Sequence, residues 1–182
     1  MKKLLLLLAE GFEEIEALTA ADLLRRAGMT CELCATGSSL SVRGAHGISV
    51  NADLIFHHAD PGAYDGVILP GGTPGTRHLS ENNDVIGLLQ KYSSEGKLTA
   101  AICAAPTVLA TAGLLNGKNA VCYPGMEKQL SAANVMKEPA VTDGTVITGR
   151  GVGTAISFAL EIVRYYNGEA ASQKLAKEIV FS

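Results

Sequence analysis

The residues most able to do chemistry lie in three short stretches. One is Thr99-Ala100-Ala101-Ile102-Cys103-Ala104-Ala105-Pro106-Thr107, which places a cysteine where an apolar run gives way to small residues and a proline. The run ending at Ile102 suits a buried strand. Ala104 to Ala112, with Pro106 early and Gly113 after it, reads as a helix with its start and stop. A side chain at such a junction points out of the carboxyl edge of a sheet, beside unpaired helix N–H groups. That setting is expected to lower a thiol pKa and make Cys103 a nucleophile, and the small Ala101 and Ala105 fit a tight elbow.

The second stretch, Glu10-Gly11-Phe12-Glu13-Glu14-Ile15-Glu16, opens the first predicted helix. Glu13 there can cap the helix or reach the Cys103 sulfur. Two anions do not share a dry pocket, so a carboxyl beside the thiol should keep its proton and donate it, and the pair should titrate as a unit. Glu14 and Glu16 read as solvated surface charge. The third stretch, Pro70-Gly71-Gly72, offers backbone N–H groups with no Cβ in the way, so that Gly72 and Ala104 could cradle an oxyanion. His46, flanked by Gly44 and Gly47, can reach into a site, whereas His57-His58 before Asp60-Pro61-Gly62 reads as surface.

Competing chemistries fail on spacing. No Gly-Lys-Ser/Thr follows the glycines of a phosphate loop, and Gly149-x-Gly151-x-Gly153 has neither the spacing nor the position of a dinucleotide fingerprint. Cys31 and Cys34 sit three apart on a predicted strand, so they point to opposite faces and neither bridge nor chelate readily. No second C-x-x-C or histidine pair completes a zinc site, so no metal is expected. Cys122 reads as core.

The elements that would position these groups alternate. Strands are predicted at 2–9, 29–35, 65–69, 98–102 and 119–122, with helices at 13–27, 83–94, 104–112, 156–166 and 170–180. A small strand pair is expected around Asp143-Gly144, and a β-excursion over 40–55. This order implies a doubly wound, mostly parallel sheet with ligands at the carboxyl ends of its strands. The 182 residues fit one domain, able to bury roughly 70% of its unfolded surface. No tryptophan is present, so the core is aliphatic. A net charge of −3 without a basic cluster argues against nucleic acid as a partner. The opening leucines end at Ala9 before Glu10, too short for a membrane span, and read as a central strand of a cytoplasmic protein.

Together, Ala9-Glu10-Gly11-Phe12-Glu13-Glu14-Ile15-Glu16, Leu69-Pro70-Gly71-Gly72, Ala101-Ile102-Cys103-Ala104-Ala105-Pro106 and Thr148-Gly149-Arg150-Gly151-Val152-Gly153-Thr154 resemble the ThiJ/PfpI superfamily, in its DJ-one branch. The resemblance covers nearly the whole chain, as one class I glutamine amidotransferase-like domain over 1–182. It implies a flavodoxin-like α/β fold, a homodimer, and an oxidisable cysteine on a nucleophile elbow. By position it implies Cys103 as nucleophile, Glu13 as protonated partner, Gly72 and Ala104 as oxyanion donors, and Arg150 near the site, where the glycine-flanked His46 is also expected to bind substrate. The implied activity is a glyoxalase or deglycase without cofactor, acting on small dicarbonyls or early glycation adducts. A redox-sensing stress protein or chaperone is the alternative. Ala104 stands where protease-like relatives carry histidine, and Tyr123 where some relatives carry another, which speaks against a peptidase.

Overall fold

A computed structural model describes residues 1–130 and 132–181 of the chain. Strand β1 (Lys3–Leu8) explains the leucine run. Its alternation sends Leu4, Leu6 and Leu8 into one apolar core and Leu5 and Leu7 into another, on opposite faces of the sheet. All five are essentially inaccessible to solvent, and each contributes about 1.5–3 kcal/mol of apolar burial.

Helix α1 (Glu14–Arg26) and β2 (Thr30–Ala35) follow, then a hairpin of β3 (Ser41–Arg43) and β4 (Ser49–Asn51), and the short β5 (Leu54–Ile55). Next come β6 (Gly66–Leu69), α2 (Thr73–Glu81), α3 (Asn83–Ser94), β7 (Leu98–Ile102) and α4 (Pro106–Thr111). The chain closes with β8 (Asn119–Ala120), β9 (Asn134–Val135), β10 (Ala140–Asp143), β11 (Val146–Gly149), α5 (Ala155–Asn167) and α6 (Glu169–Glu178). The main sheet has the order β10-β11-β7-β6-β1-β2-β5 and is parallel except for β10. Residues of α1, α5 and α6 join one core, and residues of α2, α3 and α4 the other. This is the doubly wound arrangement that the alternation implies and the flavodoxin-like fold that the resemblance implies.

Strands β1, β6 and β7 are neighbours, in register through Leu6↔Ile68 and Leu69↔Ala101. The three loops at their carboxyl ends therefore meet above the middle of the sheet, with the end of β11 beside them through Gly149↔Ile102. Cys31 and Cys34 fall in different cores, on opposite faces as their spacing requires.

Besides β9, which was not expected, and β5, which joins the main sheet and not the excursion, four elements differ from the sequence reading. No helix was expected over 73–81, because Leu79 is the only large apolar side chain there and no stripe exists to read. Gly75 seats that helix on the Gly11-Phe12 backbone: its N–H donates to Gly11 O at 3.1 Å, and a Cβ there would come within 2.8 Å of Phe12 N. The helix expected from Ala104 begins only at Pro106, leaving Cys103 to Ala105 as a turn before six helical residues. The strand expected over 119–122 covers only Asn119–Ala120. The pair around Asp143-Gly144 is part of the main sheet, since β11 pairs in parallel with β7.

Gly72 fixes how β6 leaves the sheet. It holds φ +90°, and a Cβ there would collide with Gly11 O and lie 2.7 Å from Glu13 N. Gly28 also has positive φ (+79°) but open space around it. Gly72→Ala should therefore lose more than about 2 kcal/mol, and Gly28→Ala about 1 kcal/mol. In thermal melts the first should fall by more than about 5 °C and the second by clearly less.

Candidate active site

Cys103 is one of two non-glycine residues with positive φ (66°) among the described residues. Such backbone costs about 1–3 kcal/mol and persists only where surrounding contacts impose it. Here Cys103 N–H donates to Gly149 O at 2.9 Å, and Cys103 O accepts from Tyr123 N–H at 2.7 Å. The next turn closes through Ala105 N–H to Ile102 O at 3.0 Å. The clamp lifts the side chain off the sheet edge into partial exposure, whereas Cys31, Cys34 and Cys122 are buried. The N–H groups of Ala104 and Gly72 both donate toward the Cys103 sulfur. The two expected oxyanion donors are thus brought to the thiol.

The expected carboxyl partner is corrected. The carboxyl packed beside the Cys103 thiol belongs to Glu16, three residues beyond Glu13, and its charge and the thiol shift each other. Glu16 is 1% exposed, the opposite of solvated surface charge. Its Oε2 accepts from Gly71 N–H at 2.8 Å, and its Oε1 is buried with no hydrogen-bond partner among the described residues. The thiol is the polar neighbour left to this carboxyl, and a proton there would be shared with the sulfur. Gly71 makes the approach possible, since a Cβ on it would lie 2.6 Å from Glu16 Oε2 and 2.7 Å from Cys103 Cβ.

Burial pushes the Glu16 carboxyl up to about 7, against the Gly71 and Cys103 hydrogen bonds that pull it down. Burial also pushes the Cys103 thiol up to about 12, with the Glu16 charge adding to the rise and the Ala104 and Gly72 N–H groups opposing it. The low thiol pKa expected from a helix terminus is therefore not found. Helix α4 is short, and an ionised Glu16 repels a second charge. The pair carries one negative charge at most at neutral pH. When Glu16 holds the proton, the repulsion vanishes and its O–H becomes a donor to the thiolate.

Glu13 and Glu14 have other surroundings. Glu14 is 3% exposed and holds the hairpin tip: Oε1 accepts from His46 N–H (2.8 Å) and Ile48 N–H (3.3 Å), and Oε2 lies 3.0 Å from His46 Nδ1. Despite burial, bonds from its own backbone N–H, His46 and Ile48 hold the Glu14 carboxyl below its ordinary value. The Glu14 hydrogen bond, then the Glu13 charge, raises the His46 imidazole. Oxygens of Glu13 and Glu14 converge with His46 Nδ1 to within 4.8 Å, but Glu14 already uses both oxygens on the hairpin tip, so the cluster works as a clasp.

A cavity of about 690 Å³ opens over Cys103, lined by Glu13, His46, Gly72 and Ala104 and walled by apolar side chains. Arg150 does not line it. Its Nη1 donates to Lys137 O at 3.1 Å instead, so the expected place beside the substrate is corrected.

The description "DJ-1/PfpI family" fits residues 2–165. Protein dj-1beta of Drosophila melanogaster is 39% identical over 181 residues, which covers 98% of this chain and 97% of that protein. A deglycase of Pyrococcus abyssi is 32% identical over 164 residues, covering 89% of this chain and 98% of that one. The crystal structure of a mutant DJ-1 superfamily protein from Salmonella typhimurium superposes with a TM-score of 0.95 at 35% identity, covering 100% of both chains.

Glu16→Gln separates the two duties of this carboxyl. Without the charge that repels a thiolate, Cys103 should alkylate with iodoacetamide at lower pH than in the wild type. Any turnover needing a proton carried by Glu16 should fall roughly 10²- to 10⁴-fold. Glu16 also binds its proton more tightly folded than unfolded. Its contribution to stability is complete below pH 4.5 and is lost as pH rises through about 7. Denaturant titrations from pH 5 to 8 should show the wild type losing up to about 3 kcal/mol relative to Glu16→Gln.

Proposed function

The chain belongs to the DJ-1/PfpI family, and from that premise we propose that it is a cofactor-independent glyoxalase or deglycase with Cys103 as nucleophile. The observation that carries the reading is a strained, partly exposed thiol with a buried carboxyl and two backbone N–H donors at its sulfur. Between them these groups supply a nucleophile, an acid–base group and an anion cradle.

On a 2-oxoaldehyde, the Cys103 thiolate adds to the aldehyde carbon, and the oxygen gains negative charge within reach of Gly72 and Ala104 N–H. Protonation of that oxygen by Glu16 gives a hemithioacetal. The Glu16 carboxylate then removes the proton from the former aldehyde carbon, giving an enediolate whose remaining hydroxyl proton passes to the oxygen of the adjacent carbon. Returning the proton to the adjacent carbon makes a 2-hydroxy thioester. Water cleaves the thioester, releasing a 2-hydroxy acid and the free thiol. The net change is one water added, with no external oxidant or reductant. An early glycation adduct enters the same sequence after release of its amine.

Support for a cytoplasmic homodimer comes from two features. All four cysteines are free, as suits a reducing compartment. Ile15 and Leu18 on α1 and Ile48 on the hairpin tip are exposed close to one another, an apolar strip that suits a second copy. No helix among the described residues is long and apolar enough to cross a membrane. The same donors around the sulfur would also hold the oxygens of a sulfinate, which favours redox sensing as the second reading.

The test is lactate formation from methylglyoxal by the purified protein without glutathione. Turnover should vanish in Cys103→Ala and persist in Cys31→Ser, Cys34→Ser and Cys122→Ser. No lactate from the wild type, with peroxide adding two oxygens to Cys103 alone, would replace catalysis by redox sensing.

A further inference from the structure

Tyr123 is the tyrosine that the fold leaves without a task. The hydroxyls of Tyr92 and Tyr166 donate to Pro61 O (2.8 Å) and Asp65 O (3.0 Å), and that of Tyr64 donates to Glu32. Lysines sit over the faces of all three rings. Tyr165 stands edge-on to Tyr166, with ring centroids 4.8 Å apart. Among the described residues the Tyr123 ring has no aromatic or cationic partner. At 51% exposure it is the most open of the described tyrosines and phenylalanines. Its position is nonetheless fixed. Tyr123 N–H donates to Cys103 O at 2.7 Å, Tyr123 O accepts from Met126 N–H at 3.1 Å, and Pro124 stiffens the backbone between. One ring edge rests over Gly151, where a Cβ would lie 3.4 Å from Tyr123 Cδ2.

The ring so held forms one wall of the cavity over Cys103, together with Met126 and Val152. The sheet order β11-β7-β6-β1 sets this wall apart from α1. Val152 follows β11 and Tyr123 is tied to the turn after β7, whereas α1 follows β1 on the far side of β6. The wall therefore lies across the thiol from the apolar strip that suits a second copy, and it belongs to the chain that holds the thiol. A flat ring, an adaptable thioether and a branched aliphatic group make a surface for an apolar substituent, aromatic above all. We propose that Tyr123 is a specificity residue. Its ring, with Met126 and Val152, packs against the substituent of a 2-oxoaldehyde whose aldehyde carbon meets Cys103. Compounds with an aryl group on the ketone carbon are thereby preferred to methylglyoxal. The inference deepens the reading of function given above and rests on Cys103 as the reactive thiol.

Labelling of Cys103 tests the wall without turnover. Benzyl and methyl methanethiosulfonate each form a mixed disulfide with the Cys103 thiolate and release methanesulfinate. Rates at Cys103 are followed by mass spectrometry and normalised to free cysteine. The benzyl reagent should be favoured about fivefold or more. Tyr123→Phe keeps the ring and should keep most of that preference, whereas Tyr123→Ala should cut it at least about threefold. Both variants retain the backbone N–H that bonds Cys103 O. A wild type that does not discriminate, or a preference unmoved in Tyr123→Ala, overturns the proposal. So does a preference lost in Tyr123→Phe, which would assign the hydroxyl and not the ring. Should Tyr123→Ala fail to fold, Val152→Ser takes its place, and a preference unmoved there overturns the proposal. A parallel assay compares mandelate formation from phenylglyoxal with lactate formation from methylglyoxal. Labelling that follows the ring while neither aldehyde is turned over would sustain the wall and reject the glyoxalase reading. Turnover of both aldehydes in a ratio unmoved by Tyr123→Ala would keep that reading and reject the proposal.

Discussion

One buried proton, shared between Glu16 and Cys103, governs the design of this protein. A carboxyl that is 1% exposed cannot ionise beside a thiolate without placing two charges in a dry site. Burial and the nearby Glu16 charge raise the thiol, while burial raises the carboxyl. Neither group is activated in isolation. In the proposed reaction the thiolate is formed by moving the proton to Glu16, which removes a repulsion and adds a donor in one step. An elbow with a simple helix-dipole effect would need a longer helix than the six residues of α4.

Much of the surrounding architecture follows from bringing these two groups together. They come from the first turn of α1, which follows β1, and from the turn after β7, and β6 lies between those strands. The chain leaving β6 must therefore pass between Glu16 and Cys103 without a side chain, as Gly71 does. The same residue donates its N–H to the carboxyl it admits. The strain at Cys103 is maintained by neighbours on the other side, through Gly149 O and Tyr123 N–H. Apolar cores on both faces hold the sheet from which that turn rises.

How far the sequence disclosed this depended on which signal each residue obeyed. Alternation along β1 and the strand–helix order disclosed the sheet, because both arise from burial alone. Cys103 and the glycines were legible from their place at strand ends. Glu16 was missed because its charge was read before its period. On α1 the buried residues include Glu16, Ala17, Ala20, Ala21, Leu23 and Leu24, and Glu16 stands on that stripe at i with i+4, i+7 and i+8. A glutamate in register with a core stripe is a buried acid, and that signal was available. Helix α2 had no such signal, being held by backbone contact with the Gly11-Phe12 turn and not by a stripe of its own.

Glu13, Glu14 and Glu16 lie within four residues, yet they meet three environments and so acquire three characters. Glu14 is supplied with N–H donors by a hairpin tip, and it stays an anion because those donors outweigh burial. Glu16 receives one backbone donor and a thiol, and burial prevails, so it keeps a proton into the neutral range. Glu13 makes no cap hydrogen bond among the described residues, lies 3.4 Å from His46 Nδ1 and faces the cavity. The difference lies in where the backbone N–H groups fall. Gly44 and Gly71 allow the close approach in the first two cases, for a Cβ on either would strike the glutamate it serves. Composition treats these residues as three equal charges. The fold divides them into a clasp, a proton holder and an open anion by rationing the donors around each.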